Sequence, residues 1–173
     1  GRKEADAIVN GSGTGLENSG LAKQVTGTTA IKTAATVSWL DINKLIHSID
    51  PAYRGMNSFA LAMHDSTLQL LEEQVDGQGR PLWMPSVAGM APATILGKRY
   101  FIDQAIAEAG TTKQFLYAGD WNAFILRRVA GMQLRRLNEL YAESDQVGFL
   151  AFHRFDTILE DVAAIKALTW KAS

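Results

Sequence analysis

The 173-residue sequence predicts an α+β protein. Three features carry that prediction: stretches with apolar residues at helical spacing, short β-branched or aromatic runs that suit strands, and an interspersed order without regular β-α-β units. An apolar fraction of 47% beside 20% charged residues provides one ample core, burying about 70% of the unfolded surface.

Taken in order, Asn10 to Gly20 is rich in glycine and small polar residues, so its backbone turns sharply or stays mobile; a flexible hinge is expected. Residues Val25 to Val37 suit extended or irregular chain. Trp39, Ile42, Leu45, Ile46 and Ile49 then fall at helical spacing behind Ser38 as N-cap, and Asp50-Pro51 closes the pattern. Phe59, Leu61 and Met63 alternate with Ala60 and Ala62, as in a strand covered on both faces. Ser66 is the expected cap of a short helix whose buried stripe is Leu68, Leu71 and Val75, stopped by Asp76-Gly77. From Arg80 to Ile102, proline and glycine punctuate small strands at Thr94-Ile95-Leu96 and Tyr100-Phe101-Ile102. A strand at Phe115 to Ala118 runs into Gly119-Asp120-Trp121. Beyond it, Ala123 to Val129 and Met132 to Leu137 flank Ala130-Gly131 like the two limbs of a hairpin. The apolar run Val147 to Leu159 outlasts a usual strand, and Val162 to Trp170 supplies the last one.

Several chemistries are excluded or disfavoured. With no cysteine there are no disulfides, thiolate metal sites or cysteine nucleophiles. Seventeen basic against eighteen acidic residues, net charge -1, give no field for gripping nucleic acid. No apolar stretch is long enough to cross a bilayer as a helix, and no membrane partner is expected. The opening Gly1-Arg2-Lys3-Glu4-Ala5-Asp6 has no apolar signal core and does not begin with Met, as expected of a processed chain or a fragment. The glycine segment lacks the Lys-Ser or Lys-Thr of a triphosphate loop, and Gly11, Gly13 and Gly15 miss the dinucleotide spacing. His47, His64 and His153 are isolated, with His64-Asp65 the single adjacent pair; without a Gly-x-Ser-x-Gly elbow, surface or capping roles are expected. Glu72-Glu73 reads as a solvated helix face. No catalytic, cofactor-binding or metal-binding residue is assigned, and no cofactor.

Arg127-Arg128 and Arg135-Arg136 stand out, because at strand period each pair sends one guanidinium to each sheet face. They lack the interleaved aromatics of a single-strand binder, and Glu139, Glu143 and Asp145 follow closely, favouring ion pairs within or between subunits. Phe149, Phe152, Phe155 and Trp170 suit a core or an obligate interface. The candidate subunit contacts are therefore Arg127, Arg128, Arg135, Arg136, Phe149, Phe152 and Trp170.

Taken together and in order, these segments resemble the phage capsid family, the major capsid proteins of tailed bacteriophages with the Hong Kong ninety-seven phage fold. The resemblance spans nearly the whole chain. It rests on Asn10 to Gly15 with Gly20-Leu21, similar to the glycine passage after the family's spine helix; on Phe59 to Met63, the capped helix and Asp76 to Trp83; on Gly119-Asp120-Trp121, similar to a Gly-Asp-aromatic signature; and on the closing segments Gln146 to Asp156 and Ala164 to Leu168. Leu96-Gly97-Lys98-Arg99-Tyr100 departs from the family's Leu-Gly-x-Pro-Val. The family's N-terminal arm, extended hairpin and long spine helix find no counterpart ahead of the glycines.

The resemblance implies an axial domain with a central mixed sheet flanked by helices, residues 30–145. Residues 1–29 are then the glycine-rich segment joining the peripheral domain, and 146–173 its returning strands. It further implies a structural, non-enzymatic subunit that self-assembles into pentamers and hexamers of an icosahedral shell. That shell encloses double-stranded DNA without sequence-specific binding, with scaffold, portal and decoration proteins as further partners. It is assembled in the bacterial cytoplasm and located in the virion. Asp50 to Ser58 and Met84 to Pro92 are placed near the ring axis, and this piece is expected to stay monomeric or weakly associated. Two alternatives stay open: the shell of a bacterial nanocompartment of the same fold, and an α+β enzyme centred on His64-Asp65 or Asp120.

Overall fold

The computed structural model describes residues 2–31, 37–79, 94–109, 113–129, 131, 133–137, 142–144 and 147–170. The expectations for Arg80 to Pro92, Glu139 and Asp145 fall outside them. The helices are α1 (Arg2–Asn10), α2 (Leu21–Gln24), α3 (Trp39–Ser48), α4 (Pro51–Arg54) and α5 (Asp65–Glu72). The strands are β1 (Thr28–Ile31), β2 (Phe59–Met63), β3 (Thr94–Ile95), β4 (Lys98–Ile102), β5 (Gln114–Asp120), β6 (Phe124–Arg128), β7 (Gln133–Leu137), β8 (Gly148–Phe152), β9 (Phe155–Leu159) and β10 (Ile165–Trp170).

Six strands form a mixed sheet in the order β1-β10-β5-β2-β4-β3, parallel at β1/β10 and β2/β4 and antiparallel elsewhere. Both faces of β2 are covered, as its composition predicts. Phe59, Leu61 and Met63 join Ile42, Leu45 and Ile46 of α3 and Leu68 and Leu71 of α5 on one side; Ala62 meets Val9, Leu21, Ile106 and Tyr117 on the other. Ser38 caps α3 in a reciprocal capping box with Asp41, and Asp50 caps α4 with Pro51 at its first position.

Four expectations are corrected. The glycine segment is a packed turn, not a hinge. Ser12 bridges Ser19, and a Cβ on Gly11 would lie 2.6 Å from the Ala7 carbonyl, so the missing side chain serves close backbone approach. A helix, α1, does precede it, because Val9 has a core site to fill. In α5 the N-cap is His64, whose Nδ1 accepts from the Ser66 N–H at 3.1 Å; the helix therefore starts two residues earlier, ends at Glu72 and leaves Val75 56% exposed. Finally, the segments around Ala130-Gly131 do not pair with each other. β6 pairs antiparallel with β9 and β7 with β8, because the long run 148–159 offers both segments a partner that a two-residue turn cannot.

The departure at Leu96-Gly97 is a two-residue hairpin turn between β3 and β4, with φ of 51° and 72°. β10, read from sequence as a returning peripheral strand, lies inside the main sheet between β1 and β5.

Candidate subunit interface

β6–β9 and β7–β8 together make a two-stranded arm rooted beside the main sheet. At the root, Trp121 donates its indole N–H to the Ala60 carbonyl at 3.0 Å and packs edge-on against Phe101 and Phe124, at 4.8 and 6.5 Å between ring centres. The root also carries a polar clasp. Buried Asn18 donates to the Ala7 carbonyl at 2.8 Å and to the Thr157 hydroxyl at 3.0 Å, and Thr157 Oγ1 in turn donates to the Ser19 carbonyl at 2.6 Å. Gln24 covers the free edge of β9 as a neighbouring peptide would: its amide accepts from the Leu159 N–H at 2.6 Å and donates to the Thr157 carbonyl at 3.2 Å. Strand edges left open recruit other strands, so this amide limits pairing at the root.

Strand alternation places the arginines. Arg127 stands opposite Asp156 on the outer face of the root with Ile125 and Ile158; Arg128 points to the other face and pairs with Glu4 of α1, Nη2 to Oε1 at 2.8 Å. Farther out, Arg136 lies opposite Phe149, and Arg135 opposite Leu150 on the reverse face. Leu134, Phe149, Leu150 and Phe152 are all exposed. Six of the seven candidate contacts thus gather on the arm. Trp170 does not: it is half-buried at the end of β10, 6.4 Å from the Phe115 ring. The clasp residues Asn18, Gln24 and Thr157 were not legible as a group, since Asn18 and Thr157 are 139 positions apart.

The polar residues of the enzyme alternative are dispersed. Asp120 lies opposite Phe59 at one end of β2, accepting from the Ser58 hydroxyl and from the Asn122 N–H at 3.0 Å, whereas His64 follows the other end, about 16 Å away at ordinary strand rise. His47 Nδ1 meets the Arg54 guanidinium at 2.8 Å, and His153 leans on Phe155. No group of three or more acidic or histidine side chains able to hold a metal occurs among the described residues. The displaced acidities follow structure. The hydrogen bond from Tyr53 to Asp161 raises the phenol and lowers the carboxyl, while burial raises Tyr117 and, with Glu72 nearby, Tyr100.

A mixed sheet flanked by helices with an arm projecting from one end is the Hong Kong ninety-seven phage fold. The capsid of an empty GTA particle matches it with a TM-score of 0.81 at 22% identity, over 99% of this chain and 62% of that one. Gordonia phage Cozz matches with 0.70 at 19%, over 99% and 60%. The SrpI encapsulin from Synechococcus elongatus PCC 7942 matches with 0.64 at 12%, over 97% and 60%. The chain therefore spans about six-tenths of the length of these solved chains. No curated protein matches it. The profile of the phage capsid family matches residues 1–170, and the chain belongs to that family.

Proposed function

We propose that this chain is part of a major capsid subunit of a tailed phage or prophage, associating with copies of itself into the pentamers and hexamers of an icosahedral shell around double-stranded DNA. The arm carries this reading. An isolated two-stranded ribbon is marginal in water, and this one exposes Leu134, Phe149, Leu150 and Phe152, which favours cover from a neighbouring subunit. A head-to-tail contact of this kind, repeated around an axis, closes a ring. The net charge of -1 supports enclosing DNA without binding its sequence. The site of action is the virion after assembly in the bacterial cytoplasm, with scaffold, portal and decoration proteins as further partners.

Within the subunit, residues 30–145 form an axial domain, with 1–29 joining the peripheral domain and 146–173 returning to it; β10 pairs in the main sheet, and β6 and β7 pair with β9 and β8 in the arm. Electron microscopy of the complete gene product tests the function. Closed shells are expected, and a product that stays monomeric at high concentration overturns the reading. The likeness to the SrpI encapsulin supports a second reading, a nanocompartment housing a cargo enzyme. Particles filled with nucleic acid favour the phage; particles filled with a co-purifying enzyme favour the compartment.

A further inference from the structure

We propose that the Arg136 face of the arm docks on the acidic C-terminal end of α5 in a second copy of this chain, placing the Arg136 guanidinium against Glu72 and Glu73. The inference rests on the shell reading and names the contact within it. Arg136 lies between Leu134 and Phe149, which are 66% and 67% exposed, so one cation is set among large apolar side chains, the composition of an interface anchor. The receiving surface has the opposite character. Glu72 and Glu73 sit exposed at the end of α5, whose last turn holds no basic residue, with exposed Val75 just beyond. Two carboxylates there add to the negative end of the helix dipole, an unfavourable arrangement that an incoming guanidinium reverses. Among the described residues, neither Arg136 nor these two glutamates has an ion-pair partner within its own chain. The two patches are different surfaces, so the contact is head-to-tail and propagates around a ring instead of stopping at a dimer.

The test uses the complete gene product as wild type, as Arg136→Glu, as the pair Glu72→Arg and Glu73→Arg, and as an equimolar mixture of the two variants. Sedimentation velocity and electron microscopy read assembly; circular dichroism checks the fold. Each variant alone sets like charges face to face and is expected to associate about a hundredfold more weakly or worse. In a six-membered ring of alternating variants the mixture restores opposite charges at every contact, so hexameric rings are expected to reform, whereas a five-membered ring keeps at least one like-charged contact. Lys44→Glu, which reverses an exposed cation on α3 outside both patches, is expected to assemble within about threefold of wild type, as rim charges do. A variant that assembles like wild type, or a mixture of folded variants that does not recover hexameric rings, overturns the proposal and leaves the shell reading standing. Arg136→Glu shells of normal yield that have lost their nucleic acid overturn it in favour of a DNA-facing arm. A complete wild-type product that never associates overturns the shell reading and the proposal with it.

Discussion

In β5, Gly119 lies where β10 begins, and a side chain there has nowhere to go. A Cβ on residue 119 would press on the Ala164 carbonyl oxygen and lie 2.6 Å from the Ile165 Cα and 2.8 Å from its Cγ1. Two of those three obstacles are backbone atoms, so no rotamer change relieves them. To admit a methyl group, β10 must move outward by most of an ångström, stretching the Asp120 N–H to Ala164 hydrogen bond, now 3.0 Å, and the Gly119–Ile165 pairing beside it. Overpacking a rigid site costs about 1–3 kcal/mol, and weakening a buried hydrogen bond adds about 1 kcal/mol. Gly119→Ala is therefore expected to lower stability by about 3 kcal/mol, equivalent to roughly 6–12 °C in Tm for a chain of this size. Urea or thermal unfolding followed by circular dichroism reads the change. Gly77→Ala is the control, since nothing lies within 4 Å of that Cβ position, and it should fall within about 0.5 kcal/mol of wild type. If Gly119→Ala melts as the wild type does, close strand approach is not what glycine serves in the Gly-Asp-Trp segment.

Three further outcomes follow from the same geometry. Thr157→Val removes the hydroxyl that joins Asn18 to Ser19 and should cost about 1–3 kcal/mol, with hydrogen exchange accelerating first at the root of the arm. The Asp161 carboxyl is held below its ordinary range by the Tyr53 hydroxyl and the Ala163 N–H. Its stabilisation is thus present above the unfolded-state value near pH 4 and is lost as pH falls through the lower folded value; Asp161→Asn should flatten the fall of Tm with acid over that range. Burial raises the Tyr117 phenol, so its stabilisation is complete below pH 10 and is lost as pH rises beyond. Absorbance titration should show this tyrosine ionising only together with global unfolding; free ionisation at pH 10 in folded protein would contradict its place in the core.

Much of the architecture was readable from residue order because its causes are local. Ser38 ahead of the apolar spacing states a helix start, the 39–49 spacing states which face is buried, and Phe-Ala-Leu-Ala-Met states a strand with cover on both sides. The Gly-Asp-Trp turn and the overall order were enough for the family resemblance. The His64 cap escaped because Ser66 offers a better-known cap two residues later, and only packing of Leu68 and Leu71 chooses between those starts.

Strand partnership belongs to the tertiary structure. A turn signal such as Ala130-Gly131 marks where a chain bends, but the hydrogen-bonding edges of β6 and β7 are satisfied equally well by any strand of compatible length. The choice of β9 and β8 follows from burying Thr157 and Leu159 under the turn between α1 and α2. The sequence by itself determined the fold class, the helix faces, the absence of cysteine chemistry and the near-neutral charge. Only the folded chain decided that six of the seven candidate contacts share one arm and that Trp170 lies half-buried against the core at the end of β10, because side chains 20 to 140 positions apart meet through a global balance of burial that local pattern does not encode.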